Sequence, residues 1–518
     1  MATTSVSLIF ITEMSMLAPK DLGAIHKNLF NSICKEIAVI ERKKSKSLSE
    51  YEHTFFRSYP KTIKKSNREE LLRACGRCSV ILVGDFHTFR QSQKGFFKLL
   101  EEFHCKNKNI SIALECFQQN GQIAINEYLG GLVTLDELRE KTDFEKYWPF
   151  SWTNYREILE FARIKKIPIN ALNISEPASK KSALSNRDHA AAEVIVQKLE
   201  ETNSKIFVLY GELHLAKSHL PNAIHSFGIE NEKILIINQN QPHLYWLLAT
   251  KINSQKLEVI KHNNHEFCIM NSVPWIRQRS YLDWLEGGSE DSFHDTSEID
   301  VSETTLQYTE ILREALQISS PINSQFEIQS VSIAGLQEQL TRQDSLFFRF
   351  ALGSHRTAPL VNAKRILVPT INTNTVSEAA SMLLWLSLQE QLSQTKQFSQ
   401  SQKILLFFFS YLGSKLLNPK RKCSEMEDLR DSLRRPAVNR TRKKIFRHAL
   451  CLLREQINEK NLPVRFAKTS GLGELESCRL VGFILADRFF LSLFSKQERF
   501  RAIKELFSMQ INENKSAQ

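Results

Sequence analysis

From about residue 70 the chain alternates short β-branched, apolar runs with amphipathic helical stretches, and this alternation fixes the fold class as α/β. The runs are Ser79–Val83, Ile110–Leu114, Pro168–Leu172, Lys205–Tyr210 and Lys233–Ile237, with a further strand at Glu266–Met270. Between them, Phe96, Leu99, Leu100 and Phe103, and then Tyr155, Ile158, Leu159 and Ala162, recur at the spacing of one buried helical face. Residues 187–200 read as another helix, and a last one ends near Leu285. Strands apolar throughout are buried on both sides, so the expected architecture is a mostly parallel or mixed sheet flanked by helices.

A chain of 518 residues is long for a single core, and its texture changes again after this region. The expected organisation is a helical lead over 1–70 without a chemical motif, an α/β domain over 71–285, a linker over 286–303, and a mainly helical domain of unknown role over 304–518. The linker holds seven acidic residues, Gly287-Gly288 and no Lys or Arg, so it can bury little. In the last domain the helical period marks Leu306–Leu316, Val376–Leu392, Lys403–Leu417 and Thr441–Ile457.

The formal net charge of +12 favours acidic partners, but 57 carboxylates are interspersed among 69 basic residues, and such a mixed surface is ordinarily solvated. Nucleic acid is therefore not the expected partner. Between Lys415 and Arg447 twelve basic residues face four acidic ones, which reads as a solvated or interdomain surface with phosphate backbone or anionic lipid as the alternative. The nine cysteines, several in apolar stretches, read as buried thiols of a reducing compartment. Cys75-Gly-Arg-Cys78 has no second CxxC and no His pair to complete a zinc site. The first residues lack the basic start and the lipidation site of an exported protein, and no apolar run is long enough to cross a bilayer. A cytoplasmic location without a transmembrane segment is expected, and a homodimer is compatible with the sequence.

Two segments carry the chemistry. Ser79–Val83 runs into Gly84-Asp85-Phe86-His87, and Lys205–Tyr210 into Gly211-Glu212-Leu213-His214; each is strand, glycine, carboxylate, any residue, histidine. In an α/β sheet ligands bind beyond the carboxyl ends of the strands, where both motifs fall. Ile110–Leu114 adds Glu115 at a third strand end. Asp85, His87, Glu115, Glu212 and His214 are thus expected in one cleft, a set suited to acid–base catalysis. His87, His214 and Glu115 equally suit a divalent metal. The alternative is that these groups cap helices and satisfy one another.

These pieces resemble, as a constellation, the ChaN-like haem-binding uptake family of the Tiki superfamily. Besides Gly84–His87 and Gly211–His214, the shared features are Ala113-Leu114-Glu115, the segment from Trp148-Pro149 through Trp152 to Tyr155, and Arg187-Asp188, in matching order over about 200 residues. The resemblance implies haem or iron-porphyrin binding in iron uptake. Among the Tiki and erythromycin-esterase relatives it implies, alternatively, an esterase-like or metallopeptidase-like hydrolase built on the paired motifs and Glu115. Haem needs an apolar slot and an axial Tyr, His, Cys or Met. Trp148, Trp152, Tyr155 and Tyr210 are the candidate walls, His214, His219 or a Tyr the candidate axial ligand, and Arg187 a candidate anchor for a carboxylate. Trp275, Tyr281 and Trp284 are expected to pack the last helix onto the sheet.

Overall fold

A computed structural model describes residues 20–41, 45–58, 62–175, 182–249, 257–286, 301–322, 325–330, 340–389, 397–457 and 468–495, together with residues 503 and 507. The chain divides into two compact units, one spanning Asn28–His294, the other combining Met1–Lys27 with Asp295–Gln518.

The first unit is built on an eight-stranded sheet. Its strands are β1 (Lys64–Ser66), β2 (Val80–Asp85), β3 (Ile110–Gln118), β4 (Ile169–Asn173), β5 (Lys205–Gly211), β6 (Ile234–Gln239), β7 (Val259–Asn263) and β8 (Glu266–Ile269), in the order β1-β7-β8-β6-β2-β5-β3-β4. From β8 to β4 all neighbours are parallel, whereas β7 runs antiparallel to both β8 and β1. Six of these strands, β2, β3, β4, β5, β6 and β8, lie where the sequence predicts them. The edge strand β1 and its neighbour β7 are short and carry Lys64, Lys65, Lys261 and His262, so they look like loops in sequence. Charged, short edges of this kind discourage pairing with another chain.

The helices that matter to the site are α1 (Lys46–Arg57), α2 (Arg90–Lys106), α3 (Thr153–Lys165), α4 (Ala183–Thr202) and α5 (Pro274–Leu285). Because side chains alternate along a strand, β2 sends Ile81 and Val83 into one core layer and Val80 and Leu82 into the other. The first layer is completed by Phe96, Leu99 and Leu100 of α2 and Ile158 and Leu159 of α3, the second by Ala191, Ala192 and Ile195 of α4. The parallel register sets Gly84 opposite Tyr210 and Asp85 opposite Gly211, bringing the two motifs side by side.

One boundary differs from the expectation. β3 does not end at Leu114 but continues to Gln118. Its ladder with β5 nevertheless stops at Leu114, and its register with β4 shifts between Leu114 and Gln118. Glu115 therefore sits where β3 leaves β5, freeing its side chain although the strand goes on.

The second unit is mainly helical, with α6 (Ser302–Ala315), α7 (Arg342–Ser354), α8 (Thr373–Leu388), α9 (Gln400–Leu417), α10 (Met426–Arg434), α11 (Arg440–Ile457) and α12 (Leu472–Ser495). It also holds a three-stranded sheet of Glu327–Gln329, Ala358–Leu360 and Arg365–Leu367. The helices α8 and α9 are buried on most sides. Part of the basic stretch 415–447 is internal: Lys415 Nζ reaches Asp487 Oδ1 at 2.7 Å, and Arg421 is bonded to Glu378. Residues 287–300 of the acidic linker and the first 19 residues lie outside the described part. No helix among the described residues is long and apolar enough to cross a membrane.

Candidate functional site

The carboxyl ends of β2, β5 and β3 are adjacent, and their polar side chains converge on Gly211. A Cβ added there would lie 3.1 Å from His87 Nε2, 3.2 Å from Glu115 Oε2 and 3.2 Å from His214 Cδ2. A side chain at this position would press on all three groups, so glycine lets them close in. The Gly211 amide also donates to Glu115 Oε2 at 2.5 Å, fixing the carboxylate between the two rings. His87 Nε2 lies 3.8 Å from one Glu115 oxygen and His214 Nε2 lies 3.9 Å from the other.

Each imidazole is held from behind. His87 Nδ1 is 3.0 Å from Asp85 Oδ2, which also accepts the Tyr155 hydroxyl at 3.0 Å; Gln93 Nε2 donates to the other Asp85 oxygen at 2.5 Å. The Trp148 indole donates in turn to the Tyr155 hydroxyl at 3.1 Å. His214 Nδ1 is 2.6 Å from Asp188 Oδ1, and Asp188 Oδ2 accepts the Tyr51 hydroxyl at 2.5 Å. In both rings, then, Nδ1 faces an aspartate and Nε2 faces Glu115.

The two motifs are alike in sequence but not in use. In the first, the motif's own carboxylate, Asp85, anchors its histidine. In the second, Glu212 turns instead to a buried ion pair with Arg277 and accepts from Gln241 Nε2 at 2.8 Å. Asp188, at the second position of the Arg187-Asp188 pair, anchors His214 in its place. Burial lifts the Glu212 carboxyl above its ordinary range despite Arg277 and Gln241. Burial also pushes the His87 imidazole down, but the Asp85 hydrogen bond and charge, with Glu115 and Glu212, outweigh it and leave His87 above its ordinary value.

Sequence reasoning missed Tyr51, Gln93, Gln241 and Arg277. Tyr51 belongs to α1, in the lead that carries no chemical motif. Its hydroxyl lies 2.8 Å from His214 Nδ1, and its ring stacks on His219 at 3.6 Å between centroids. Only the helical period, placing Tyr51 and Phe55 on one face, hints at a docked helix.

The expected haem-slot residues lie deeper than a slot wall. Trp152 packs against Phe117 and Phe144, while Tyr155 and Tyr210 are fully buried, with burial raising both phenols well above their ordinary range. Arg187 is half-buried, and its Nε is buried without a hydrogen-bond partner. Of the two imidazoles His87 is the more open, with 23% side-chain exposure against 8% for His214. Beside His87 runs a half-buried series of rings. Phe150 is 4.8 Å from His87, Trp284 is 5.3 Å from Phe150, Tyr281 stacks on Trp284 at 5.9 Å, and Phe86 lies 6.0 Å from Tyr281. Trp275 is buried as expected of a packing residue, but Tyr281 and Trp284 line this ledge.

Among the described residues, no group of three or more His, Cys, Asp or Glu side chains is arranged to hold a metal ion. Cys75 and Cys78 are buried free thiols, and burial pushes Cys75 up to about 12.

Residues 71–186 match a family model described as haem-binding uptake, Tiki superfamily, ChaN. That stretch is similar to the ChaN family. A solved structure titled "Cofacial heme binding to ChaN of Campylobacter jejuni" aligns with this chain at 17% identity, covering 34% of this chain and 88% of that one, with a TM-score of 0.31. No curated protein is significantly similar to the sequence. The matched interval holds Asp85, His87, Glu115 and Tyr155; Tyr51, Asp188 and His214 lie outside it.

Proposed function

We propose that the ChaN-like domain binds haem or a related iron-porphyrin at the carboxyl ends of β2, β5 and β3, with His87 as the first imidazole to meet the ligand. The observation that carries this reading is the pairing of a part-open imidazole, its Nε2 free of the Asp85 hydrogen bond, with the aromatic ledge of Phe150, Trp284, Tyr281 and Phe86. Haem supplies a metal open to an axial donor and a flat apolar face, and this surface offers a partner for each. The unpartnered Nε of Arg187 supports a role in holding an acidic group. Trp152, Tyr155 and Tyr210 support the site from below: Tyr155 holds Asp85, and Tyr210 sets its ring edge-on to His214 at 4.8 Å.

A second reading has its own observation. Two aspartate-anchored imidazoles facing one carboxylate form an arrangement able to take and return protons, as an esterase-like hydrolase requires. On this reading Glu115, His87 and His214 are the working groups, and Glu212 and Asp85 hold others in place.

Hemin titration of the full chain separates the two. Haem binding predicts a saturable Soret shift that weakens at least about tenfold in His87→Ala, a loss of about 1.4 kcal/mol. A colourless protein that cleaves model esters, and stops doing so in Glu115→Gln, would select the hydrolase.

A further inference from the structure

The net charge of this chain is not evenly spread. Residues 1–300 hold 38 Lys and Arg against 37 Asp and Glu, whereas residues 301–518 hold 31 against 20, so the C-terminal stretch carries +11 of the total +12. Among its described cations, several are matched by carboxylates: Arg313 by Glu310, Arg365 by Glu327, Lys403 by Glu474, Lys415 by Asp487, Arg421 by Glu378, and Arg479 by Glu476. On α10, Arg430 and Arg434 are likewise matched by Glu427 and Asp431.

The start of α11 is different. Between Ser432 and Arg454 there are eight basic residues and no acidic one. Arg440, Lys443, Lys444 and Arg447 recur at i, i+3, i+4 and i+7 and so form one stripe on the helix. Arg440, Lys444 and Arg447 are exposed, and none of the four pairs with an acidic side chain among the described residues. The opposite face carries the buried Ala449, Leu452 and Leu453, which seat the helix in its own unit. These cations lie in the first turns of α11, where the helix dipole disfavours positive charge. Neither the packing nor the helix gains from them, so their number points outward.

We propose that this stripe docks the phosphate backbone of a nucleic acid strand. The row spans about 10 Å along the helix, at about 1.5 Å per residue, and a strand presents a phosphate about every 3.4 Å of its axis. A linear array of fixed charges thus meets a linear array of opposite charges. Two of the three exposed cations are arginines, whose planar forks suit phosphate oxygens. The apolar neighbours Ile445 and Phe446 are half-buried in the unit, so the stripe has no projecting apolar side chain to enter a bilayer. It also has no exposed ring to stack on bases, and the binding is therefore indifferent to sequence. The expectation from sequence weighed 415–447 as one segment; the fold sorts it into Lys415 and Arg421, spent inside, and the α11 stripe, left outside.

The test uses the full chain and fluorescein-labelled oligo(dT) and oligo(U), followed by anisotropy across a potassium chloride series, with phosphatidylcholine–phosphatidylserine vesicles as a separate arm. The wild type is expected to bind both oligonucleotides, with affinity falling steeply with salt. The triple change Arg440→Gln, Lys444→Gln, Arg447→Gln is expected to weaken binding at least about tenfold and to reduce the log–log salt slope by about 2. Arg440→Lys with Arg447→Lys keeps the charge and is expected to stay within about threefold of wild type. An unchanged thermal melt of the triple variant shows that its fold is intact. Absence of oligonucleotide binding at low salt, an unchanged slope in the triple variant, or capture by the vesicles in preference to the oligonucleotides would each overturn the proposal.

Discussion

At the scale of single residues, the site consists of two imidazoles whose Nδ1 atoms face aspartates and whose Nε2 atoms face Glu115. Each aspartate also accepts a tyrosine hydroxyl, Tyr155 for Asp85 and Tyr51 for Asp188, which spreads the negative charge over two donors and locks the ring orientation. Such a ring presents a lone pair only when neutral. His87 is held charged to a pH above its ordinary 6.5, so a donor role for it has a definite pH signature. Hemin affinity should rise as pH climbs through that elevated value and fall below it, and a titration series across neutral pH reads this directly. For stability the sign runs the other way: the contribution of protonated His87, paired to Asp85, is full below the unfolded-state value and is lost as pH rises through the folded one. The Glu212–Arg277 pair is fully internal, and Glu212→Ala leaves Arg277 without its carboxylate. That variant should lose about 3–5 kcal/mol in denaturant unfolding followed by tryptophan fluorescence. A loss under about 1 kcal/mol would mean that Arg277 finds another acceptor.

At the scale of elements, the strands are the part most plainly written in the sequence, because continuous apolar runs have few other places to go than the middle of a sheet. The Gly-carboxylate-x-His pieces could be placed at strand ends for the same reason. What could not be read is which carboxylate serves which histidine. Asp188 reaches His214 from a helix 26 residues away, and Glu212, two residues from His214, points elsewhere. Contacts of that kind depend on how α4 and α5 pack, which no local pattern encodes. The helix α1 was hidden for a related reason: its two anchoring side chains, Tyr51 and Phe55, are one turn apart in a short helix whose other residues are mostly polar. Phe55 is buried and Tyr51 reaches the site, so α1 is pinned at two points. Tyr51→Ala should therefore speed amide hydrogen exchange across Lys46–Arg57 in the full chain, read by mass spectrometry, while Arg90–Lys106 stays protected. Unchanged exchange in Lys46–Arg57 would show that Phe55 alone seats the helix.

At the scale of the whole molecule, two compact units carry different chemistry. Residues 1–300 are nearly neutral in formal charge, and the α/β unit gathers the titratable groups of its site at one end of its sheet; residues 301–518 hold the excess of positive charge, with part of it aligned on α11. The proposed haem site in the first unit and the proposed phosphate-binding stripe in the second are separable by experiment, since changes to α11 leave every residue of the α/β site untouched. The most direct test of the central claim is hemin titration of the intact chain by visible absorbance, comparing wild type with His87→Ala and with His225→Ala, an exposed histidine whose ring bonds to the Ile229 carbonyl. Saturable binding by wild type and His225→Ala, weakened at least about tenfold in His87→Ala, is the predicted result. Equal binding by all three, or no saturable Soret shift in any, would contradict it.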